Sequence, residues 1–297
     1  MKFSYLIKIL PIASILLLTA GCKETGPQID LTNGKHNVLV DTTYVESPVQ
    51  TAEPKNTLIE LFTGVACINC PAAHVTVENI KAANPGRVVA VAIHGTEQAS
   101  QDEPQVGSRQ VLNNADAQAI INNFGEPGAR PVGAIDRVLH TSLSQQGSIY
   151  DFASNFNSDA SAQLTKTTPV NMILTNTYDQ ATRSGAVQVE LHYTSAQTDS
   201  NKLTLYLTED SIVTSQLQAD NSNDTAYVHN DILRGSLTNI LGDRLDVNLM
   251  PGTVIRKVFT YHITDPIWRP EHMNIVAFVH RFSGSYEILQ VKEVAVQ

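Results

Sequence analysis

The chain has 297 residues, of which 42% are apolar, and its 29 acidic and 20 basic residues give a formal net charge of −9. This balance disfavours nucleic acid as a partner, because the sequence offers no basic stretch that could neutralise phosphates. The length suggests two domains. The three cysteines divide into one that ends an export signal and two that form a close pair.

Residues 1–22 have the features of a bacterial export signal, with early lysines and an apolar run over residues 9–18. That run is too short for a membrane span, which needs about 20 apolar residues. Small residues then lead into Cys22, which resembles the lipobox cysteine of bacterial lipoproteins, although Thr19 stands where leucine is usual. The sequence therefore predicts a lipid on Cys22; an ordinary cleaved signal is the alternative.

Residues 23–56 are rich in Thr, Pro, Asn and Gly and predict a tether, in which residues 38–40 could add one strand. Lys23 and Glu24 resemble a short tag that some Gram-negative bacteria use to send lipoproteins to the cell surface. The alternative is that these two residues simply begin a solvated linker.

A strand, a C-x-x-C motif, a helix and a second strand follow in that order. Residues 58–62 are apolar, Cys67 and Cys70 come next, and apolar residues recur at helical spacing over 72–80. Residues 87–94 are almost unbroken apolar, as expected for a parallel strand that is covered on both faces. This order is typical of the start of a thioredoxin-like fold, with a right-handed crossover.

The second half of such a fold is predicted further along the chain. A helix is expected over residues 114–124, and a strand after Pro131. Thioredoxin-like proteins place a cis-proline at this position, against the cysteine pair. Apolar spacing over 149–160 predicts a last helix. Together these elements define a predicted thioredoxin-like domain over residues 57–166.

The cysteine pair carries the chemistry that the sequence predicts. Two cysteines three residues apart at a helix start lie within disulfide reach, and the helix dipole favours a thiolate there. Cys67 would attack a partner and Cys70 would resolve the mixed disulfide. Glu60 could relay the proton of Cys70, or it could be a surface glutamate on an edge strand. The candidate catalytic residues are thus Cys67, Cys70, Pro131 and Glu60.

Three interpretations of this pair stay open: a redox-active disulfide, an inert structural disulfide, and a zinc site, which would need about four ligands. Ala66 replaces the tryptophan that usually precedes the first cysteine of a thioredoxin, and Arg130 stands where threonine is frequent before the proline. Both departures weaken the redox interpretation. No metal site and no cofactor are predicted.

From residue 167 to 297 the apolar pattern changes from helical spacing to alternation. Short alternating runs separated by turn residues predict an immunoglobulin-like antiparallel β-sandwich. Within this segment no catalytic set of residues is evident. The predicted fold class is therefore α/β plus all-β, with a thioredoxin-like domain followed by this sandwich.

Four stretches carry a family resemblance: residues 62–64, residues 67–72 with the sequence Cys-Ile-Asn-Cys-Pro-Ala, residues 227–235, and the ending over 275–290. On these residues the chain resembles the outer membrane protein 28 family of Gram-negative lipoproteins. The resemblance implies a lipid-anchored outer membrane protein with a thioredoxin-like domain and a C-terminal β domain. Some members are described as adhesins or receptors, and no established reaction is implied.

Two functions are predicted as alternatives. In the first, the chain is a binding or structural protein, held in the outer membrane by lipid on Cys22, that meets a protein or surface ligand. In the second, it is an envelope thiol–disulfide oxidoreductase that uses Cys67 and Cys70. Neither function involves nucleic acid.

Overall fold

The computed structural model describes residues 38–96, 109–140, 148–245, 248–283 and 285–297. The export signal, Cys22 and the Lys23-Glu24 pair lie outside them. Over the described residues the fold is β-rich, and its α-helices are α1 (Cys70–Ala83), α2 (Ala115–Phe124) and α3 (Phe156–Leu164). None of these helices has the length and apolar content needed to cross a membrane.

The strands of the described segments are numbered in chain order. They are β1 Val38–Val45, β2 Thr57–Thr63, β3 Val88–His94, β4 Val132–Ile135, β5 Asp151–Phe152, β6 Val170–Asp179, β7 Ser184–Tyr193, β8 Asn201–Glu209, β9 Ile212–Leu217, β10 Asn223–His229, β11 Ile232–Ser236, β12 Asp243–Arg244, β13 Thr253–His262, β14 Met273–Arg281 and β15 Ile288–Ala295. Short 3₁₀ turns precede α3 and β14.

These strands form three sheets. The largest has the order β15-β14-β8-β11-β3-β2-β4-β5, with β12 also paired to β8. A four-stranded sheet has the order β1-β13-β7-β6, and β9 pairs with β10. The pairs β2–β3 and β3–β11 are parallel, whereas the other strand pairs are antiparallel.

The central strands and α1 form where the sequence predicts them. Every residue of β2 and β3 is buried, which explains their almost continuous apolar character. Helix α1 has Pro71 in its first turn, where the missing N–H costs little, and it ends before Pro85-Gly86. Gly86 takes a φ of +71°, which favours glycine.

The hydrophobic core crosses the predicted domain boundary at residue 166. One cluster packs apolar side chains of β2 and β3 together with side chains of β8 and β14, and its members include Leu58, Phe62, Val91, Tyr206, Val276 and Phe278. The strands on the two sides of the boundary also belong to one hydrogen-bonded sheet. The division at 166/167 therefore stays a prediction, and the two halves share a sheet and a core.

The alternating segments expected after residue 167 are strands, namely β6, β7, β8, β13, β14 and β15. The four-stranded sheet packs through Val187, Leu191 and Phe259 on side chains of β8 and β14, such as Leu205 and Ile275. This second cluster is the larger of the two and contains no cysteine.

Two predicted segments differ from the structure. The single strand allowed within the predicted tether, over residues 38–40, is longer in the structure, because β1 pairs with β13 as far as Val45. The helix expected over 149–160 begins at Phe156, since Asp151 and Phe152 instead pair with β4 as a short strand. The apolar spacing there reflects Ile149 and Tyr150, which are buried in the core without being helical.

Candidate functional site

The candidate site is built around a disulfide between Cys67 and Cys70, whose Cα atoms are 5.4 Å apart. The pair lies where the loop after β2 becomes helix α1. The Cys67 N–H donates to the carbonyl oxygen of Gly64 at 3.1 Å, and the Cys70 N–H donates to that of Cys67 at 3.2 Å. Cys70 is fully buried and Cys67 is 5% exposed, so neither cysteine is freely presented to solvent.

Strand β9 covers this loop. The side-chain amide of Gln216 donates to the carbonyl oxygens of Gly64 at 3.3 Å and Cys67 at 3.1 Å. The Leu217 N–H donates to the carbonyl oxygen of Val65 at 2.8 Å. Gln216 is itself fully buried. These bonds fix β9 against the loop that holds the two buried cysteines.

Pro131 lies at the end of β2 from which the cysteine loop departs. The Arg130–Pro131 peptide bond is cis. Strand β4 runs antiparallel to β2 with Val132 opposite Phe62, so the same register places Pro131 opposite Thr63. The Arg130 Nε also donates to the carbonyl oxygen of Thr63 at 3.3 Å. The structure thus brings Pro131 to the start of this loop, and its part in catalysis stays a prediction.

Glu60 is completely buried on a central strand, so its interpretation as an edge-strand surface residue is wrong. Both of its carboxylate oxygens accept hydrogen bonds from Arg137, at 2.7 and 2.6 Å. Glu60 shares its strand face with Leu58 and Phe62, whereas α1 packs on Ile59 and Leu61 of the opposite face. This placement gives no support to a proton relay between Glu60 and Cys70, which stays a prediction.

Three histidines gather beside the cysteine loop, and sequence reasoning does not identify this cluster. The His74 Nε2 lies 2.8 Å from the Thr63 hydroxyl, and its Nδ1 lies 2.9 Å from the Tyr227 hydroxyl. The ring of His229 is 6.3 Å from that of His74 and 6.2 Å from that of His94, measured between centroids. Both ring nitrogens of His94 are buried without a hydrogen-bond partner among the described residues.

These imidazoles are uncharged at neutral pH. Burial lowers the pKa of His74 to about 4, and burial together with the nearby His74 lowers the pKa of His229 to about 3. Burial is the main cause that holds the pKa of His94 well below its ordinary value, and the neighbouring His229 is the second. The sequence shows His74 one turn beyond Cys70, but β10 brings His229 to it from more than 150 residues away, so no local pattern signals the cluster.

A cleft of about 170 Å³ opens between α1 and the β10–β11 segment. Leu61, Val77 and Ala90 are among the apolar residues that line it, and His74 and Tyr227 supply polar groups. At its edge Lys81 donates to both carboxylate oxygens of Asp231, at 2.6 and 2.8 Å. Burial raises the pKa of Asp231 to about 7, against the opposing effect of Lys81. The cleft can hold one small apolar group next to hydrogen-bonding side chains.

Comparison with known proteins decides the family. A family model described as outer membrane protein Omp28 matches residues 117–297, which is more than half of the chain. This chain belongs to the Omp28 family. The resemblance noted in the sequence is thereby confirmed, and the chain is an outer membrane protein.

No curated protein matches the chain. Among solved structures, HBP35 of Porphyromonas gingivalis is similar over 83% of this chain and 76% of its own, with 15% sequence identity and a TM-score of 0.64. At that identity the likeness concerns the fold alone. A domain of the outer membrane lipoprotein Omp28 from Porphyromonas gingivalis is 21% identical over 43% of this chain and 87% of its own, with a TM-score of 0.30.

Within the Omp28 family match, residues 117–297 include β9 and β10 but not the cysteine pair. The strand that bonds the cysteine loop is therefore part of the family region, whereas the loop itself lies upstream. The candidate site is formed where these two parts of the chain meet.

Proposed function

We propose that this Omp28-family chain is a lipid-anchored outer membrane protein, held through Cys22, that binds a partner and uses its disulfide as a structural element. The observation that carries the proposal is the burial of both cysteines in a loop whose backbone Gln216 and Leu217 of β9 bond. A disulfide oxidoreductase has to present one sulfur to an incoming thiolate. Here both cysteines are almost fully buried, in a loop that a neighbouring strand holds by hydrogen bonds.

The same proposal includes the finer fold. The segment β2-α1-β3, followed by Pro131, β4, β5 and α3, has the order expected of a thioredoxin-like unit. The two packed sheets formed by β6 to β8 and β13 to β15 suit an immunoglobulin-like sandwich. In this arrangement the thioredoxin-like unit serves as a scaffold. Its cleft beside His74 and Tyr227 is the place we propose for a small apolar group of the partner.

Disulfide accessibility tests the proposal. In the mature chain without its lipid, we expect dithiothreitol to reduce the Cys67–Cys70 disulfide slowly under native conditions. Gln216→Ala should raise the reduction rate by about tenfold, because losing buried hydrogen bonds ordinarily costs about 1.4 kcal/mol. Gln188→Ala, on the distant four-stranded sheet, is the matched control and should leave the rate unchanged. Rapid reduction of the wild type, with turnover of a disulfide substrate, would reject a structural role.

An envelope thiol–disulfide oxidoreductase is the second candidate. It is favoured by one observation, the approach of Pro131 to the strand end that precedes Cys67. This function requires the β9–β10 hairpin to move away from the loop. Cys70→Ser should then trap envelope proteins on Cys67 as mixed disulfides, and a Cys67→Ser/Cys70→Ser chain should trap none.

A further inference from the structure

A cluster of side chains that could bind a metal ion lies at the edge of the largest sheet, where β5 is the last strand. His140, Asp151 and Asp159 each offer one potential metal-ligand atom, and these three atoms lie within 4.8 Å of one another. Asp151 begins β5 and Asp159 lies on α3, so three separate parts of the chain converge here. No sequence motif links them, which is why the sequence alone predicts no metal site.

The distances suit a small cation. The His140 Nδ1 is 3.4 Å from the Asp151 Oδ2, and the His140 Nε2 is 3.9 Å from the Asp159 Oδ2. One imidazole offers one nitrogen to a given ion, so the bound that matters is the 4.8 Å within which one atom from each residue lies. Zinc bonds of about 2.1 Å at a tetrahedral centre place neighbouring ligand atoms about 3.4 Å apart, so side-chain shifts of roughly 1.4 Å at most would complete the triangle.

Two of the converging atoms lack a hydrogen-bond partner among the described residues. The His140 Nε2 and the Asp159 Oδ2 are both shielded from solvent and make no hydrogen bond there. A buried polar atom that is left without a partner costs free energy, so its presence calls for an explanation such as a bound ion. A cation between His140, Asp151 and Asp159 would satisfy both atoms at once.

Asp151 is already oriented for such a role. The side-chain amide of Asn155 donates to both of its carboxylate oxygens, at 3.0 and 3.1 Å, and the Phe152 N–H donates to its Oδ1 at 2.8 Å. Bonds of this kind fix the direction of a ligand carboxylate around a metal ion. Asp151 is also 3% exposed, so its carboxylate lies in a site that excludes most water.

From this convergence we propose that His140, Asp151 and Asp159 form a binding site for Zn²⁺. One imidazole and two carboxylates are ligands that zinc accepts, and three protein ligands leave a fourth position for water. The His140 and Asp159 side chains are 17% and 20% exposed, although the two converging atoms themselves are shielded from solvent. The site is separate from the cysteine loop and from the proposed partner-binding cleft.

Calorimetric titration of the chelator-treated mature chain with Zn²⁺ tests this site. We expect one ion per chain with wild type, a loss of at least tenfold in affinity with His140→Gln and with Asp159→Asn, and a loss of about tenfold with Asn155→Ala, which removes the orienting amide. His262→Gln changes a histidine on the distant four-stranded sheet and should bind as wild type does. Melting temperatures without metal should show that the variants fold.

X-ray absorption of the zinc-loaded wild type gives an independent readout, with one imidazole and otherwise oxygen ligands expected. Absence of binding would overturn the proposal, as would sulfur ligation or an affinity that His140→Gln and Asp159→Asn leave unchanged. Binding of Ca²⁺ without Zn²⁺ would also overturn it.

Discussion

Arg137 donates two hydrogen bonds, of 2.7 and 2.6 Å, to the carboxylate of Glu60, and both side chains are buried. The guanidinium carbon also lies 4.9 Å from the ring centre of Phe124 and 5.0 Å from that of Phe278. Glu60 and Arg137 come from the first predicted domain and Phe278 comes from the second. Glu60, which the sequence offers as a proton relay for Cys70, thus takes part in a contact that joins the two halves of the protein.

The first prediction concerns this ion pair. Arg137→Met leaves the carboxylate of Glu60 buried without its counter-ion, so we expect the free energy of unfolding to fall by about 3–5 kcal/mol. Denaturant unfolding at pH 7 measures the change. The double variant Glu60→Met/Arg137→Met removes both charges and should recover much of the loss. A cost below about 1 kcal/mol for Arg137→Met would contradict a tightly held pair.

The sequence predicts most of the elements that have a regular apolar pattern. Strands β2 and β3 are largely apolar because both faces are covered, and β6 and β7 alternate because one face packs on a sheet. Strand β8 also alternates in sequence, although it is buried on both faces. Helix α1 is predicted because its apolar spacing and its flanking prolines agree. Family membership is predictable as well, since the resemblance rests on residues along most of the chain.

The parts that the sequence does not predict depend on long-range pairing. Strand β10 is polar and largely exposed, so it has no apolar pattern, yet its pairing with β9 places His229 beside His94. Gln216 shows no sign in the sequence of bonding a loop about 150 residues away. Local patterns report which face of an element is buried, and they do not report which distant element covers it.

The second prediction concerns the stability that the disulfide provides. The cysteines are separated by 3 positions, and closing so short a loop is worth about 2 kcal/mol in the chain-entropy treatment. Cys67→Ser/Cys70→Ser should therefore lower the free energy of unfolding by about that amount while the chain stays folded. Thermal unfolding with and without reductant measures it. Wild type under reductant should match the variant, and equal stability of all samples would show that the disulfide stabilises nothing.

The third prediction is a pH dependence that comes from His229. Its pKa is lowered from 6.5 to about 3 in the folded protein, first because burial disfavours the charged ring and next because His74 is close. Between those two values the unfolded chain binds more protons at this position than the folded chain does. The contribution to stability is therefore complete above pH 6.5 and is lost as the pH falls towards 3.

His229→Phe keeps a ring in the cluster and removes this titration. Between pH 7 and pH 5 we expect the wild type to lose about 2 kcal/mol more unfolding free energy than the variant does. Asp231, whose pKa burial raises to about 7, acts with the opposite sign in both proteins, so the difference between them isolates His229. Urea unfolding at both pH values supplies the measurement. Identical losses in the two proteins would show that His229 does not resist protonation.

The last prediction concerns the membrane anchor. If Cys22 carries lipid, cells that express the wild type should incorporate labelled fatty acid into the chain, and Cys22→Ala should abolish the label and release the protein from the outer membrane fraction. Durable anchoring needs more than one acyl chain, so loss of the single attachment residue should solubilise nearly all of the protein. Cys67→Ser/Cys70→Ser is the matched thiol control. It should keep the label and the membrane fraction, because those cysteines are consumed in the disulfide. Label that persists in Cys22→Ala would place the lipid elsewhere, and an unlabelled wild type would mean that the signal is cleaved in the ordinary way.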